Sequence, residues 1–433
     1  MNATQFTPIL FTNVSIIDGS GEPAFAGDVR VEGRRIAAVA RQPGELPADG
    51  AEVIDGGGAT LMPGLTDAHA HLSFTNAVDL AGLGEMPPEE ATLWTMKVAK
   101  LLLDHGYTSC FSGSAAKPRV DVAIRDAINR GDIPGPRLRA ATKQLTVTGG
   151  FGDLRMPHYD LGDGMPSVPL DGPDAFRDYV RAACRDGVDT IKIVPSAHGS
   201  GPDPMSEDTV MTDAEVAAVC EVARQRGRKV AAHARSAEAV KMCLRNGVDV
   251  IYHATLADEE AMDMLEAARD RIFVAPALGL QYARLHNGDD FGVATPEPVR
   301  VKLAKEIELV SARMRELVAR GVRIMPGGDY GFRWNPHGTN ARDIEHLVRL
   351  FGFTPMAAIV AATRWGGALM GHEGELGEVR EGCLADLLLV DGDPLADISI
   401  LQDRGRLLAI MKDGAFHKSP PPARAEPQRQ AAE

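Results

Sequence analysis

LTDAHAHL, residues 65–72, places His69 and His71 one residue apart in an apolar run. Side chains of a strand alternate between its two faces, so a strand here puts both imidazoles on one face and Ala68, Ala70 and Leu72 on the other. Two ring nitrogens then converge on one small volume. A metal ion is the commonest partner for such a pair, and two core histidines bonded to carbonyls are the other reading of so short a motif. The preceding ATLMPGL is apolar with a Pro–Gly break, which fits a strand, a tight turn and a second, buried strand.

Downstream of this stretch, short apolar runs alternate with longer amphipathic segments. TSCFSG, RLRAAT, TIKIVPS, KVAAHA, DVIYHAT, IFVAPAL and VRIMPGGD join the His69 run as eight candidate strands, with helical patterns over residues 90–104, 174–185, 213–225, 237–245 and 298–320. This alternation predicts an α/β fold, a (β/α)8 TIM barrel over residues 62–371. The rival is a doubly wound open sheet, but no GxGxxG follows an early strand. Upstream, the chain reads as short β runs broken by turns. β character returns in GELGEVREGCLADLLLVD and RLLAIMKDGAFHK, after two short helices over residues 354–370. Residues 1–61 and 372–418 are therefore expected to pair into a small β-sandwich domain. The last stretch, SPPPARAEPQRQAAE, residues 419–433, is proline-rich and polar and reads as a disordered tail.

A chain of 433 residues with 44% apolar content can bury a large core. The net charge of −14, with no basic stripe, argues against nucleic acid as a partner. The N-terminus lacks a basic region followed by an apolar stretch, and no run is long enough to span a bilayer, so no membrane partner and a cytoplasmic location are expected. Five scattered cysteines read as reduced, small apolar residues.

In such a barrel the reactive groups sit at the C-terminal ends of the strands. Lys192, between Ile191 and Ile193 facing outward, points inward; His233, His253 and Asp329 also fall at strand ends. Singly these are ordinary, since an inward lysine usually pairs with a buried carboxylate and a strand-end aspartate often caps a helix. With His69 and His71 they form a nitrogen and oxygen donor set suited to zinc and neighbouring first-row metals.

These six residues, together with LMPGLTDAHAHL and GEVREGCLADLLLVDGDPL, resemble the amidohydrolase superfamily, specifically its binuclear members with a carboxylated lysine. The chain is most similar to the imidazolonepropionase-like group, which holds prolidase-like dipeptidases, ochratoxin-type amidases, and molinate and phenylurea hydrolases; TGGFGD and NPHGTNARDIEHLV look like segments of that group. The resemblance implies two divalent metal ions, zinc foremost. His69, His71 and Asp329 would hold one, His233 and His253 the other, and a carbamate on Lys192 would bridge them. A hydroxide generated between the ions near neutral pH would attack, with Asp329 as catalytic base and then acid. The implied activity is hydrolysis of a C–N bond in an amide, carbamate or urea, with N-acyl amino acid, dipeptide-like or aromatic xenobiotic substrates, in a homo-oligomer. The alternatives are a cyclic amide hydrolase or deaminase on the same fold and, more remotely, a catalytically dead scaffold, which would have lost ligands that are all present here.

Two positions depart from the group. Phe151 stands in TGGFGD where many relatives carry histidine, and Tyr252 precedes His253 where many read Glu-His. Tyr252 is expected to face outward, without effect on the ligands.

The loops after strands three, seven and eight concentrate aromatics: Phe151, Tyr159, Tyr282, Phe291, Tyr330, Phe332 and Trp334, in a chain with only 5% aromatic residues. Either they pack the loops together or they receive a small-molecule substrate with an apolar or aromatic group. Arg155, Arg284 and Arg333 share these loops and could bind a carboxylate. His198, His286 and His337 follow strands four, seven and eight. The candidate substrate contacts are thus Phe151, His198, Tyr282, Arg284, His286, Tyr330, Trp334 and His337. His105, His158, His346, His372 and His417 read as packing or solvated residues.

Overall fold

A computed structural model describes residues 7–156, 158, 164–197 and 208–421. The rest of the tail lies outside the described residues.

The two ends of the chain meet in one mixed sheet. Ile9–Ile16, Phe25–Glu32, Arg35–Ala40, Glu52–Asp55 and Thr60–Pro63 join Leu387–Val390, Leu407–Lys412 and Ala415–Lys418. Thr60–Pro63 is the seam: it runs parallel to Ile9–Ile16, with Ser15 opposite Thr60, and antiparallel to Leu387–Val390, with Leu61 opposite Leu389. Alternate residues of these strands, among them Phe11, Ile16, Val29, Val31, Leu61, Leu387, Leu389 and Met411, form a core of their own.

Beyond this seam the strands are parallel. In chain order they are Leu65–Ala70, Tyr107–Ser112, a third strand split by Ala140 into Arg137–Arg139 and Ala141–Thr146, then Thr190–Ile193, Lys229–Ser236, Val250–Leu256, Phe273–Ala275 and Arg323–Ile324. The first two and the first half of the third form a three-stranded sheet. The second half of the third continues into a seven-stranded sheet that also takes in Ser167–Pro169. Ala140 lies at the join, where its carbonyl accepts the amides of Asp189 and Thr190; at the far margin Ala68 N donates to Pro326 O at 3.1 Å.

Helices connect successive strands, as parallel pairing requires. Asp213–Gln225 starts at a capping box between Thr212 and Glu215 and buries Val216, Val219, Cys220 and Val222. Ala237–Asn246 is capped by Ser236 and ends on Gly247 at φ 79°, a left-handed stop that favours glycine. Each such buried valine or leucine contributes about 1.5–3 kcal/mol. Pro355–Ala362 and Arg364–Leu369 are the two short helices expected there. No helix of the described residues is long and apolar enough to cross a membrane, and all five cysteines are free thiols.

The parallel strands have two differently filled faces. Ile191, Ile193, Val230, Ile251, Val274 and Ile324 pack with the helices, as the outward reading of the two isoleucines requires. Ala68, Phe111, Ala231, Val250, Tyr252, Phe273 and Ala275, from five strands, form a separate cluster with Met325, which follows the eighth. Two expectations fail here. Ala68 belongs to this inner cluster, because the first strand steps from Asp67 opposite Cys110 to Ala70 opposite Ser112, one residue more than its partner, and the bulge breaks the alternation. Tyr252 does not face outward. Its register partner is His233, which puts both on one face, and His253 and Ala254 then take φ of 76° and 51°, turning the chain off strand geometry so that His253 joins the same side.

Candidate metal centre

The first strand and the segment after the eighth build the tightest part of the site. Nitrogen donors of His69 and His71 and a carboxylate oxygen of Asp329 all lie within 4.8 Å of one another. His71 Nδ1 donates to the Ser114 carbonyl at 3.0 Å, which turns Nε2 toward Asp329 Oδ1, also 3.0 Å away. An imidazole lone pair meeting a carboxylate oxygen at this distance suits a shared cation. His69 Nδ1 is buried with no hydrogen-bond partner, and its Nε2 lies 3.4 Å from Lys192 Nζ. Burial, then the neighbouring Lys192, holds the His69 pKa well below the usual imidazole range, so the ring is neutral, the form that ligates metal.

Lys192 comes from the fourth strand with its amine inward, as read from its isoleucine neighbours. Burial brings its pKa down to about 7 against the pull of Asp329. For Asp329 burial works upward, but His69, His71 and Lys192 outweigh it and keep the carboxyl well below the usual range, as an anion. His233 and His253, buried within the fifth and sixth strands rather than at their ends, stand with ring centroids 4.3 Å apart, and His253 lies 5.6 Å from His69. The six residues singled out from the sequence are therefore contiguous. Four imidazoles, one carboxylate and one amine of lowered basicity are a donor set that fits divalent first-row metal ions.

Each of three imidazoles lies against an aromatic ring. Tyr252 stacks on His69 (3.5 Å, 4° between planes), Phe74 on His71 (4.1 Å, 9°) and Phe151 on His233 (5.2 Å, 19°). Glycine makes the close approach possible: a Cβ at Gly113 would fall 2.4 Å from the His69 ring, and one at Gly327 would fall 2.7 Å from the His69 amide.

The sequence reading missed the residues that hold these candidate ligands in place. Asp67 accepts the His69 amide through Oδ1 (2.9 Å) and Asn340 Nδ2 through Oδ2 (2.8 Å). Asp329 itself sits at φ 58°, left-handed and unusual for a non-glycine residue. Asn335 donates to the Gly328 carbonyl at 2.9 Å, and Asp343 accepts the Gly327 amide at 3.1 Å and the Tyr330 hydroxyl at 3.2 Å. Asn335, Asn340 and Asp343 all lie in NPHGTNARDIEHLV, so that stretch carried the signal without disclosing the partners.

The candidate substrate contacts divide. Phe151 reaches the ligands, through His233. Tyr330 is buried with its hydroxyl engaged by Asp343, and His337 is buried with Nε2 against the Phe74 carbonyl (3.0 Å) and its pKa brought down to about 4 by burial. Trp334 donates to the Leu280 carbonyl and carries the Arg284 guanidinium 4.7 Å above its ring. Tyr282, half-buried, lies between His286, exposed, and His346, which pairs with Asp343 at 3.2 Å. Tyr159 and His198 lie outside the described residues.

Residues 60–416 match the Amidohydrolase family. Over 384 residues the chain is 26% identical to ochratoxinase of Aspergillus niger, covering 83% of this chain and 76% of that protein. It is 25% identical over 431 residues to imidazolonepropionase of Ralstonia nicotianae, covering 94% and 96%. Among solved structures, a Xaa-Pro dipeptidase with bound methionine in its active site is similar, with TM-score 0.82, 28% identity and coverage of 95% and 100%.

Proposed function

The chain belongs to the amidohydrolase family, and from that premise we propose a metal-dependent hydrolase of amide, carbamate or urea C–N bonds, built on a closed (β/α)8 barrel over residues 62–371 beside a β-domain of residues 1–61 and 372–418. The observation that carries the reading is the meeting of His69, His71 and Asp329 within 4.8 Å, beside Lys192, His233 and His253.

In this reading His69, His71 and Asp329 hold one divalent ion and His233 and His253 a second, zinc being the metal that best suits the donors. When bound, the ions supply Lewis acidity toward the scissile carbonyl and lower the pKa of water beside them. Lys192 joins the two halves as a carbamate. Its amine has a pKa of about 7, so the neutral form is well populated at neutral pH; that nitrogen adds to the carbon of carbon dioxide and releases a proton, leaving an anionic group with two oxygens. Asp329, held as an anion, takes the proton of the attacking water and passes it to the leaving nitrogen. Phe151, against His233, presents an apolar surface to the substrate, which favours an acyl or aryl group beside the C–N bond. N-acyl amino acids and dipeptide-like compounds are the first class to examine, since ochratoxinase and a Xaa-Pro dipeptidase are among the similar proteins. The near full-length alignment with imidazolonepropionase keeps a cyclic amide as the second reading.

The test is a turnover panel of N-acyl amino acids, N-aryl carbamates, phenylureas and cyclic amides, run with elemental analysis. Two metal ions per chain and turnover of acyclic substrates are expected. Turnover confined to cyclic amides selects the second reading, and active protein without stoichiometric metal rejects the centre.

A further inference from the structure

Tyr252 offers no atom to a metal in the reading above, yet its ring meets two residues of that reading at once. It is fully buried, lies 4° from parallel with the His69 imidazole at 3.5 Å between centroids, and has Lys192 Nζ 4.0 Å from its own centroid. The amine and His69 Nε2 are themselves 3.4 Å apart, so ring, imidazole and amine are mutual neighbours. The Tyr252 hydroxyl donates to the Ala68 carbonyl at 3.0 Å, gripping the backbone one residue before His69. One side chain of the sixth strand thereby touches the first and the fourth, and its sequence neighbour is His253.

The chemistry of ligation gives this contact a consequence. An imidazole donates through a lone pair in the plane of its ring, so a metal bond survives only if that plane is held. A face-to-face stack opposes rotation about Cβ–Cγ, and the hydroxyl fixes the backbone from which the ring hangs. We propose that Tyr252 is a positioning residue of the metal centre, whose ring sets the plane of His69 and the place of Lys192 so that both point at one ion. The inference rests on the metal reading of the preceding subsection. Partners that orient metal ligands typically contribute about 10–100-fold in metal affinity, which is the size of effect at stake.

The experiment uses the full chain, stripped with chelator and titrated with zinc against a competing chromophoric chelator. Tyr252→Leu, which removes ring and hydroxyl, should weaken zinc binding by about 10–100-fold, and Tyr252→Phe, which keeps the ring and gives up only the bond to the Ala68 carbonyl, should lose less. A purely structural tyrosine would lower the melting temperature of Tyr252→Leu and leave zinc affinity unchanged, which overturns the proposal; so does Tyr252→Phe falling as far as Tyr252→Leu. Should Tyr252→Leu fail to melt cooperatively, Tyr252→Met, a flexible filler of similar reach, takes its place with the same two outcomes. Unaltered protein that binds no zinc overturns the metal reading itself, an outcome distinct from any difference between the variants.

Discussion

The metal end and the seam end of the molecule treat buried charge in opposite ways. At the seam, Arg137, from the start of the third strand, bonds Asp386 at 2.7 Å and Asp413 at 2.6 Å, Arg34 bonds Asp413 at 2.7 Å, and the Asp413 amide donates to Asp386 at 2.9 Å. Two guanidiniums and two carboxylates complete one another. At the metal end a carboxylate, an amine and four imidazoles are packed together, and His69 Nδ1 has no partner at all. A cluster that closes on itself ties two parts of a fold together, whereas one that turns several imidazoles toward a single carboxylate suits a cation. In β/α barrels the former belongs at the N-terminal ends of the strands and the latter at the C-terminal ends.

The sharpest way to break this contrast is Asp329→Asn. It keeps the shape and one ligating oxygen but cannot take up the proton, so kcat should fall by about 10²–10⁴-fold while metal content and melting temperature stay close to those of the unaltered protein. Near-normal kcat with metal in place would hand the proton to another group. At the other end, Arg137→Met should strand Asp386 and cost about 3–5 kcal/mol in denaturant unfolding, with kcat per folded molecule unchanged. Loss of activity out of proportion to unfolding would mean that the two ends are coupled.

Adding metal to chelated protein sharpens the comparison further. An ion that binds only the folded state should stabilise it by about 2.7 kcal/mol at a hundredfold excess over Kd, and by the same increment in Arg137→Met, because the clusters share no residue. Unequal increments in paired melts would argue against independence. The smallest effect is expected of Asp67→Ala, which removes the acceptor of the His69 amide and of Asn340; metal affinity should drop by about 10–100-fold, read by chelator competition.

How far the sequence discloses this arrangement depends on whether a residue's environment is local. Lys192 could be placed because a regular strand carries it between two isoleucines, and alternation is enforced by the backbone itself. Ala68 and Tyr252 were misplaced where regular alternation breaks: by a bulge near Ser112 in one case, and in the other by left-handed φ at His253 and Ala254. Both departures occur next to histidines of the candidate site, where strand geometry yields to the aim of a side chain. The supports are less legible still. Asp67 and Asn340 meet across 273 residues of chain, and no pattern near either one announces the other. The split of the third strand at Ala140 likewise depends on Asp189 and Thr190, a long way downstream.

The seam strand has a consequence for how the protein is made. Thr60–Pro63 pairs on one edge with Ile9–Ile16 and on the other with Leu387–Val390, and the Gly64 amide, next in line before LTDAHAHL, donates to the Asp386 carbonyl. During synthesis that second edge stays open until more than three hundred further residues have been added, leaving Leu61 and Met62 on a strand with one unpaired edge in the nascent chain. Such distant closure slows folding and sets an order of events. The bond from Gly64 to Asp386, one of the anchors at the upstream end of the His69 segment, can therefore form only after the carboxy-terminal strands have emerged.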